Sequence, residues 1–195
     1  MSEWQTIELD ENSSLRYCAR FITDERANLL FEHCRQTFPW VQSNIRIFGK
    51  RTPIPRLNAW YGDRAYRYSG TSFEPRTWTS ELLELKHEIE EASKLSLNCV
   101  LANLYRNGQD SMGWHSDDEA SLGPQPQIAS LSVGATRRFV LRNKQVQKTK
   151  VDLDLENGSL MLMLGCTQTR WQHSLPKALR VKDPRINLTF RLIES

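Results

Sequence analysis

Two stretches in the first half of the chain space their apolar residues three and four apart, as an amphipathic helix requires. The first predicted helix covers residues 24–37, with Asp24 as its expected N-cap, and the second covers residues 79–94. Their predicted buried faces consist of Ala27, Leu30, Phe31 and Cys34 in the first and Leu82, Leu85, Ile89 and Ala92 in the second. Each helix therefore has one face suited to packing on a core.

From residue 97 onward the pattern changes to short apolar or alternating segments, separated by turn residues such as Asn107-Gly108 and Asn157-Gly158. The predicted strands cover residues 97–106, 127–133, 136–142, 159–164, 170–174 and 185–192. Two helices followed by a run of strands are typical of an α+β fold. The pattern predicts an antiparallel sandwich or barrel with helices packed against it.

The composition fits one globular domain, because 195 residues with 39% hydrophobic content can bury one core. No apolar run approaches the ~20 residues that span a bilayer, and the first ten residues lack an apolar signal core. We therefore expect a monomer without a membrane partner, in the cytoplasm or, in a eukaryote, the nucleus. A net charge of +3 permits a nucleic-acid partner but does not establish one.

The segment around His115 carries the most informative candidate chemistry. His115 and Asp117 are two residues apart, so an extended backbone would place both side chains on one face. With a second histidine they would form the 2-His-1-carboxylate set that binds Fe(II) and leaves coordination positions open. A lone His-x-Asp is weak evidence, because a surface turn with a capping aspartate explains it as well. Of the other three histidines, two fall within predicted helices, which leaves His173 as the second candidate ligand.

The last predicted strand has one polar and one apolar face. Its polar face carries Arg185, Asn187, Thr189 and Arg191. Arginine binds carboxylates through two parallel hydrogen bonds, so this face could bind a dianion, although a solvent-facing sheet surface is the alternative. The two arginines are roughly 20 Å apart at ordinary strand rise, so only a strongly curved strand would bring both to one ligand. Asn103 and Tyr105 share a face of an earlier strand and could add hydrogen bonds there.

Several of these segments occur together and in the same order in one known enzyme family. They are Asn103-Leu-Tyr-Arg-Asn-Gly108, His115-Ser-Asp-Asp-Glu119, Ile128-Ala-Ser-Leu-Ser-Val-Gly-Ala-Thr-Arg-Arg-Phe139, His173 and Arg185-Ile-Asn-Leu-Thr-Phe-Arg191. From about residue 55 to residue 191 the chain resembles the AlkB family of Fe(II)- and 2-oxoglutarate-dependent dioxygenases, and most of all the branch with the vertebrate DNA-repair homologues. The resemblance implies a double-stranded β-helix (jelly roll) with N-terminal helices, as one domain over residues 1–195. Helices and a nucleotide-recognition lid would occupy about residues 1–95, and the catalytic core about residues 96–195.

The resemblance also implies the roles of individual residues. Fe(II) would be bound by His115, Asp117 and His173, and 2-oxoglutarate by Asn103, Tyr105, Arg185, Asn187 and Arg191. No catalytic residue is implied beyond the iron ligands. With O2 as the second co-substrate, the implied reaction oxidises the N-methyl group of 1-methyladenine or 3-methylcytosine in DNA, with RNA as a further candidate. The products are formaldehyde, succinate, CO2 and the unmodified base.

Candidate base-binding residues lie in an aromatic segment and beside the ligand motif. Trp60, Tyr66 and Tyr68 are candidate stacking platforms for a flipped base, or else fill the seam between helices and barrel. Glu119 continues the alternation of the ligand motif, and we predict that it favours the positively charged methylated bases. Phe48 is a candidate wedge for the gap left by a flipped base, with a core position as the alternative.

Two other functions remain open on the sequence. The same iron and co-substrate residues would serve a hydroxylase of a protein side chain or a small molecule, although the aromatic segment and its basic flanks favour nucleic acid. A non-catalytic AlkB-like module could bind nucleic acid without oxidising it. The complete set of ligand and arginine residues argues against that module, because a decayed enzyme is expected to lose at least one of them.

Overall fold

The structure is a computed structural model that describes residues 3–47, 50–64, 66–68, 71–73, 75–146 and 148–194, without the side chains of 46–50, 66–68 and 71–73. Its strands are β1 (Gln5–Asp10), β2 (Ser13–Cys18), β3 (Asn44–Ile47), β4 (Lys50–Pro53), β5 (Leu57–Gly62), β6 (Tyr66–Tyr68), β7 (Thr71–Phe73), β8 (Cys99–Tyr105), β9 (Met112–His115), β10 (Ile128–Gly134), β11 (Arg137–Asn143), β12 (Lys150–Leu155), β13 (Ser159–Gly165), β14 (Trp171–Leu175) and β15 (Arg185–Arg191). Its helices are α1 (Asp24–Thr37), α2 (Ser80–Ser93) and α3 (Thr167–Arg170), with a short 3₁₀ helix at Ala120–Leu122.

Two antiparallel sheets form the body of the described structure. The larger has the strand order β1-β2-β13-β10-β15-β8-β5, and the smaller has the order β12-β11-β14-β9. Helices α1 and α2 pack on the outer face of the larger sheet, and a second apolar core lies between the sheets. This arrangement confirms the predicted α+β class. In the described residues no helix combines the length and apolar character that crossing a bilayer requires.

The two long helices were predicted within a residue or so of their ends, but the N-cap of the first was wrong. Thr23, not Asp24, caps α1, because its hydroxyl accepts a hydrogen bond from the backbone N–H of Arg26 at 3.3 Å. Asp24 occupies the first turn instead, where its negative charge interacts favourably with the helix dipole. Helix α2 is capped by Thr79 and ends at Lys94 in the left-handed region, with φ 63°.

Three strands of the larger sheet were missed by the sequence prediction. β1 and β2 form a hairpin whose second strand pairs with β13, and β5 pairs with β8. The predicted boundary near residue 95 therefore does not separate the sheet from the part of the chain before it. These strands are short, and β1 lies at the sheet edge with an exposed and largely polar sequence, so alternation alone gives little signal there.

The last strand divides its side chains between two environments. Ile186, Leu188 and Phe190 are fully buried and belong to the core that α1 and α2 cover. Arg185 and Arg191 alternate with them and so project from the opposite face, toward the space between the sheets. The packing of β15 thus fixes which of its polar side chains face inward.

Phe190→Ala is expected to lower the free energy of unfolding by about 3–5 kcal/mol, because a large buried ring is replaced by a cavity. The Phe190 side chain is 0% exposed and stacks with Trp78 at 6.5 Å between ring centroids. Urea unfolding measures the change. Leu29→Ala, at a side chain of α1 that is 67% exposed, is the control and should change stability by less than about 0.5 kcal/mol. Equal effects of the two substitutions would contradict the predicted core.

Candidate metal centre and adjoining cavity

Strand pairing brings the two candidate histidine ligands together. β9 and β14 are antiparallel neighbours, and their register places His115 directly opposite His173. Directly opposed residues project from the same face of a sheet, and the two ring centroids are 4.1 Å apart. The His173 ring also stacks on the ring of Phe139, which lines the same cavity.

Asp117 lies just beyond the end of β9 and completes the cluster. One candidate ligand atom each from His115, Asp117 and His173 lies within 4.8 Å of the other two. Donors that bind one ion at about 2.0–2.2 Å lie roughly 3–4 Å apart, so small side-chain movements would bring the three to a shared metal ion. The cluster offers two imidazoles and one carboxylate, which is the donor set of ferrous oxygenases.

The backbone sets the protonation of the His115 ring. Its Nδ1 lies 2.9 Å from the carbonyl oxygen of Gly113. A carbonyl oxygen only accepts hydrogen bonds, so Nδ1 carries the proton and Nε2 keeps its lone pair. Nε2 lies 3.9 Å from Asp117 Oδ1, on the side where the ion would bind. The hydrogen bond from Nδ1 to the Gly113 carbonyl orients the ring for metal binding through Nε2.

The charges of the cluster also suit a divalent cation. Burial alone would raise the pKa of Asp117, but the Arg191 guanidinium and the two imidazoles outweigh it and hold that pKa at about 2. Burial, assisted by the neighbouring His115, lowers the pKa of His173 to about 3. Burial likewise lowers the pKa of His115. At neutral pH the cluster therefore consists of one carboxylate and two neutral imidazoles, the forms that bind metal.

A cavity adjoins the cluster between the two sheets, and the predicted co-substrate residues line it. They are Asn103, Tyr105, Arg185, Asn187 and Arg191. Both arginines border this one cavity, as a ligand that spans the face of β15 would require. Cross-strand register contributes as well, because Asn187 lies opposite Asn103 on one side and Ser132 on the other.

Arg185 is a buried cation with an unused donor. Its Nη2 donates to Ser132 Oγ at 2.8 Å, and its guanidinium carbon lies 5.4 Å from the centre of the Tyr105 ring. Its Nε has no hydrogen-bond partner among the described residues. Burial lowers the pKa of Arg185 to about 10, so the side chain remains charged at neutral pH. A buried charge of this kind fits a carboxylate ligand in the cavity.

Comparison with known proteins identifies the family. The model of the 2OG-Fe(II) oxygenase superfamily matches residues 14–191. "Alpha-ketoglutarate-dependent dioxygenase alkB homolog 3" of Bos taurus is 44% identical over 191 residues, which cover 90% of this chain and 65% of that protein. "DNA oxidative demethylase ALKBH2" of Mus musculus is 39% identical over 165 residues, which cover 80% of this chain and 69% of that protein. The chain belongs to the AlkB family.

A solved structure supports the fold of this AlkB-family chain. "The structure of OsALKBH1" aligns with a TM-score of 0.69 at 16% identity, covering 91% of this chain and 97% of that one. At so low an identity the likeness concerns the fold alone, and it confirms the predicted jelly roll. The chain spans only 65% of the length of its Bos taurus relative and 64% of the Homo sapiens alkB homolog 3.

Arg191 and Arg185 have different surroundings in the cavity. Its Nη2 donates to Asp117 Oδ2 at 3.0 Å, so it contacts the candidate metal ligand directly. Asn187 also has partners in the protein, because its amide nitrogen donates to Ser130 Oγ at 2.8 Å. Arg185 is therefore the better placed of the two arginines to bind an incoming carboxylate, and Arg191 also orients Asp117.

Two of the predicted base-binding residues, Trp60 and Glu119, are not among the described residues that line the cavity. Trp60 is 3% exposed, packs with Cys99 and Leu122, and donates its indole N–H to the carbonyl of Arg64. Trp60 is therefore buried away from the cavity. Its place in an aromatic segment did not show which face of β5 would be covered. Among the described residues, Glu119 is not part of the cavity wall. The strand alternation on which its prediction depended ends at His115, four residues earlier.

Three other predicted residues lie where their side chains are not described. Tyr66 and Tyr68 belong to β6, which pairs with β7, and their side chains lie outside the described part of the structure. Phe48 lies outside the described residues. Their predicted roles as stacking platforms and as a wedge therefore stay predictions.

Residues that the sequence prediction missed also border the cavity or contact the residues that line it. Arg56 is 4% exposed, and its Nε donates to Asn103 Oδ1 at 3.0 Å. Ser130 and Ser132 contact Asn187 and Arg185 from β10. Small polar residues that alternate with apolar ones along β10 were the available signal for the two serines, whereas the buried position of Arg56 had none.

Proposed function

We propose that the chain is an Fe(II)- and 2-oxoglutarate-dependent dioxygenase that demethylates 1-methyladenine and 3-methylcytosine in DNA, with RNA as a second substrate. The observation that carries the proposal is one cavity bordered both by His115, Asp117 and His173 and by the buried cation Arg185. We further propose that the protein acts as a monomer in the cytoplasm or nucleus, without a membrane partner.

The metal role follows from the cluster itself. His115 and His173 would each offer a neutral nitrogen, and Asp117 would supply the negative charge, with its second oxygen bound to Arg191. When bound, Fe(II) would supply the activation of O2, which takes two electrons from 2-oxoglutarate as it becomes succinate and CO2, and two from the N-methyl group as it is oxidised to formaldehyde. Burial of the cluster keeps bulk water away from the reacting methyl group.

The co-substrate role is assigned to the far wall of the cavity. Arg185 and Ser132 would bind the carboxylate of 2-oxoglutarate that lies farther from the metal, and Tyr105 would pack beside it. Asn103 would hydrogen-bond the same molecule, with Arg56 holding its amide. We assign the other carboxylate and the keto oxygen to the metal side, beside Arg191. This division would place the keto acid end of the co-substrate beside His115, Asp117 and His173.

The assignment to nucleic acid rests on the lid segment and on the relatives. The cavity is bordered by Ser43, Asn44, Ile45 and Ile54, which lie within residues 1–95, the part of the chain that the resemblance assigns to the helices and the lid. Relatives that are 39–44% identical are named "DNA oxidative demethylase ALKBH2" and alkB homolog 3. A base in a duplex cannot reach a buried metal, so it must be flipped or single-stranded, and we assign its stacking to Tyr66 and Tyr68.

Methylated oligonucleotides are expected to yield formaldehyde and succinate in equal amounts, and removal of Fe(II) by a chelator should abolish both. The test compares a 1-methyladenine oligonucleotide in single- and double-stranded DNA and RNA with a methylated peptide. Unmethylated oligonucleotides of the same sequence are the control for uncoupled succinate production. Turnover of the peptide alone would favour the protein hydroxylase. Binding of oligonucleotides without any succinate would favour the non-catalytic module.

A further inference from the structure

We propose that Gln168 is a positioning residue that holds Asp117 in the orientation required for metal binding. This inference rests on the metal site proposed above. Gln168 is 0% exposed and lies in the short helix α3, which joins β13 to the strand that carries His173. Nothing in its sequence position marks it as part of the site, because it is 51 residues away from Asp117 along the chain.

Asp117 needs such support because it lies outside regular structure. β9 ends at His115, so the backbone of Asp117 has no place in the sheet ladder. Its backbone N–H instead donates to Gln168 Oε1 at 2.9 Å, in a fully buried hydrogen bond. Since a backbone N–H can only donate, the carbonyl end of the Gln168 amide must face Asp117. The orientation of the amide is therefore defined.

The other end of the same amide is also held. Gln168 Nε2 lies 3.3 Å from the sulfur of Met163, a residue of β13 that borders the cavity. Gln168 is thus bound at both ends, between the loop that carries Asp117 and the wall of the larger sheet. A side chain fixed in this way can set the position of a backbone segment with little freedom of its own.

A second hydrogen bond attaches the same loop to the same neighbouring segment. Ser116 Oγ donates to the carbonyl oxygen of Trp171 at 2.9 Å. Trp171 is the first residue of β14 and lies two residues before His173. The loop that carries Asp117 is therefore hydrogen-bonded to the strand that carries His173. The distance between Asp117 and His173 depends on these ties.

The two side chains that contact the Asp117 carboxylate, Arg191 and His115, do not replace this function. Arg191 binds the carboxylate at Oδ2, and Asp117 Oδ1 faces His115 at 3.9 Å. Both contacts act on the end of a side chain, which can rotate if the backbone moves. The hydrogen bond from Gln168 acts on the backbone itself and so limits where the carboxylate can point. Partners behind metal ligands typically contribute about 10–100-fold to metal affinity.

Gln168→Leu is the central test, with Mn²⁺ as the probe and isothermal calorimetry on the full chain as the measurement. The substitution keeps the approximate volume and removes the acceptor, and we expect the Mn²⁺ Kd to rise about 10–100-fold. The visible spectrum of the Co²⁺-loaded protein should also change at saturation, because it reports ligand geometry. Gln172→Leu is the matched control. Gln172 lies on the same segment but accepts from Arg142 at 2.9 Å, and its loss should leave the Mn²⁺ Kd within about threefold.

Two further variants separate positioning from simple filling of space. Gln168→Glu keeps an oxygen acceptor of the same reach and should bind Mn²⁺ more tightly than Gln168→Leu. Gln168→Asn shortens the side chain and withdraws the acceptor from Asp117, so it should weaken Mn²⁺ binding. This variant keeps the inference testable if Gln168→Leu does not fold. Folded Leu and Asn variants with unchanged Kd values and Co²⁺ spectra would overturn the inference, as would a Glu variant no better than Leu.

The same experiment distinguishes this inference from the proposed reaction. Weaker Mn²⁺ binding in Gln168→Leu supports the positioning role whether or not methylated oligonucleotides are turned over. Absence of Mn²⁺ binding in the unaltered chain would overturn the metal site and the role of Gln168 with it. Absence of formaldehyde release, with Mn²⁺ binding intact and sensitive to Gln168, would overturn only the assignment of the substrate.

Discussion

His173→Ala is expected to abolish formaldehyde and succinate production, with a loss of more than about 100-fold. His173 supplies one of only three protein donors in the described cluster, so its removal leaves His115 and Asp117 as an incomplete site. Loss of a direct ligand should exceed the cost of losing an outer partner of a ligand. The measurement is the initial rate on methylated oligonucleotide at saturating Fe(II) and 2-oxoglutarate, together with the Mn²⁺ Kd.

The control for this prediction is another histidine of the chain. His87 lies exposed on α2, and His87→Ala should retain the activity and the Mn²⁺ Kd of the unaltered protein. Circular dichroism should show that both variants keep their strand content. A folded His173→Ala variant with substantial turnover would contradict the proposed ligand set, because two donors would then suffice.

Arg185→Leu is expected to raise the KM for 2-oxoglutarate sharply. Truncation of one partner of a buried, hydrogen-bonded charge pair costs about 2–5 kcal/mol, which corresponds to roughly 30- to 5000-fold in affinity. Arg185 is 2% exposed, and its Nε has no hydrogen-bond partner among the described residues, so this donor can bind the ligand. Succinate formation measured against 2-oxoglutarate concentration gives the KM.

Two comparisons test the proposed contact with Arg185. Arg185→Lys keeps the charge but not the planar fork, so its KM should lie between those of the unaltered chain and the leucine variant. Arg138→Leu removes an exposed arginine that pairs with Asp152, and should leave the KM unchanged. The Mn²⁺ Kd of Arg185→Leu should also be unchanged. A KM effect no larger than that of Arg138→Leu would exclude Arg185 from the co-substrate site.

The elements that sequence patterns predicted well are those whose signal is local. α1 and α2 each repeat the helical spacing over 14 residues, and the helix ends were close to those predicted. The two faces of β15 were also separated correctly, because strict alternation over seven residues leaves one face apolar. The N-cap of α1 was misplaced by one residue, since Thr23 and Asp24 both have suitable side chains and only the backbone angles distinguish them.

Local sequence patterns gave little information on which side of a sheet faces the core. Trp60 was assigned as an aromatic residue of a lid-like segment and Glu119 from alternation, and neither signal shows which face is covered. β1, β2 and β5 were missed because short strands gain most of their stability from neighbours far along the chain. Neither the covered face of a sheet nor the pairing of a short strand with a distant one can be obtained from a window of a few residues.

The amino-acid order alone was enough to nominate the three candidate metal ligands and the arginines of the last strand, because residue types and short spacings carry that chemistry. Tertiary structure alone placed His115 opposite His173, buried Arg56 against Asn103, and brought Gln168 to the backbone of Asp117. These contacts join residues separated by 47 or more positions. They arise from strand register and from the burial of polar groups that must find partners, and both are properties of the whole folded chain.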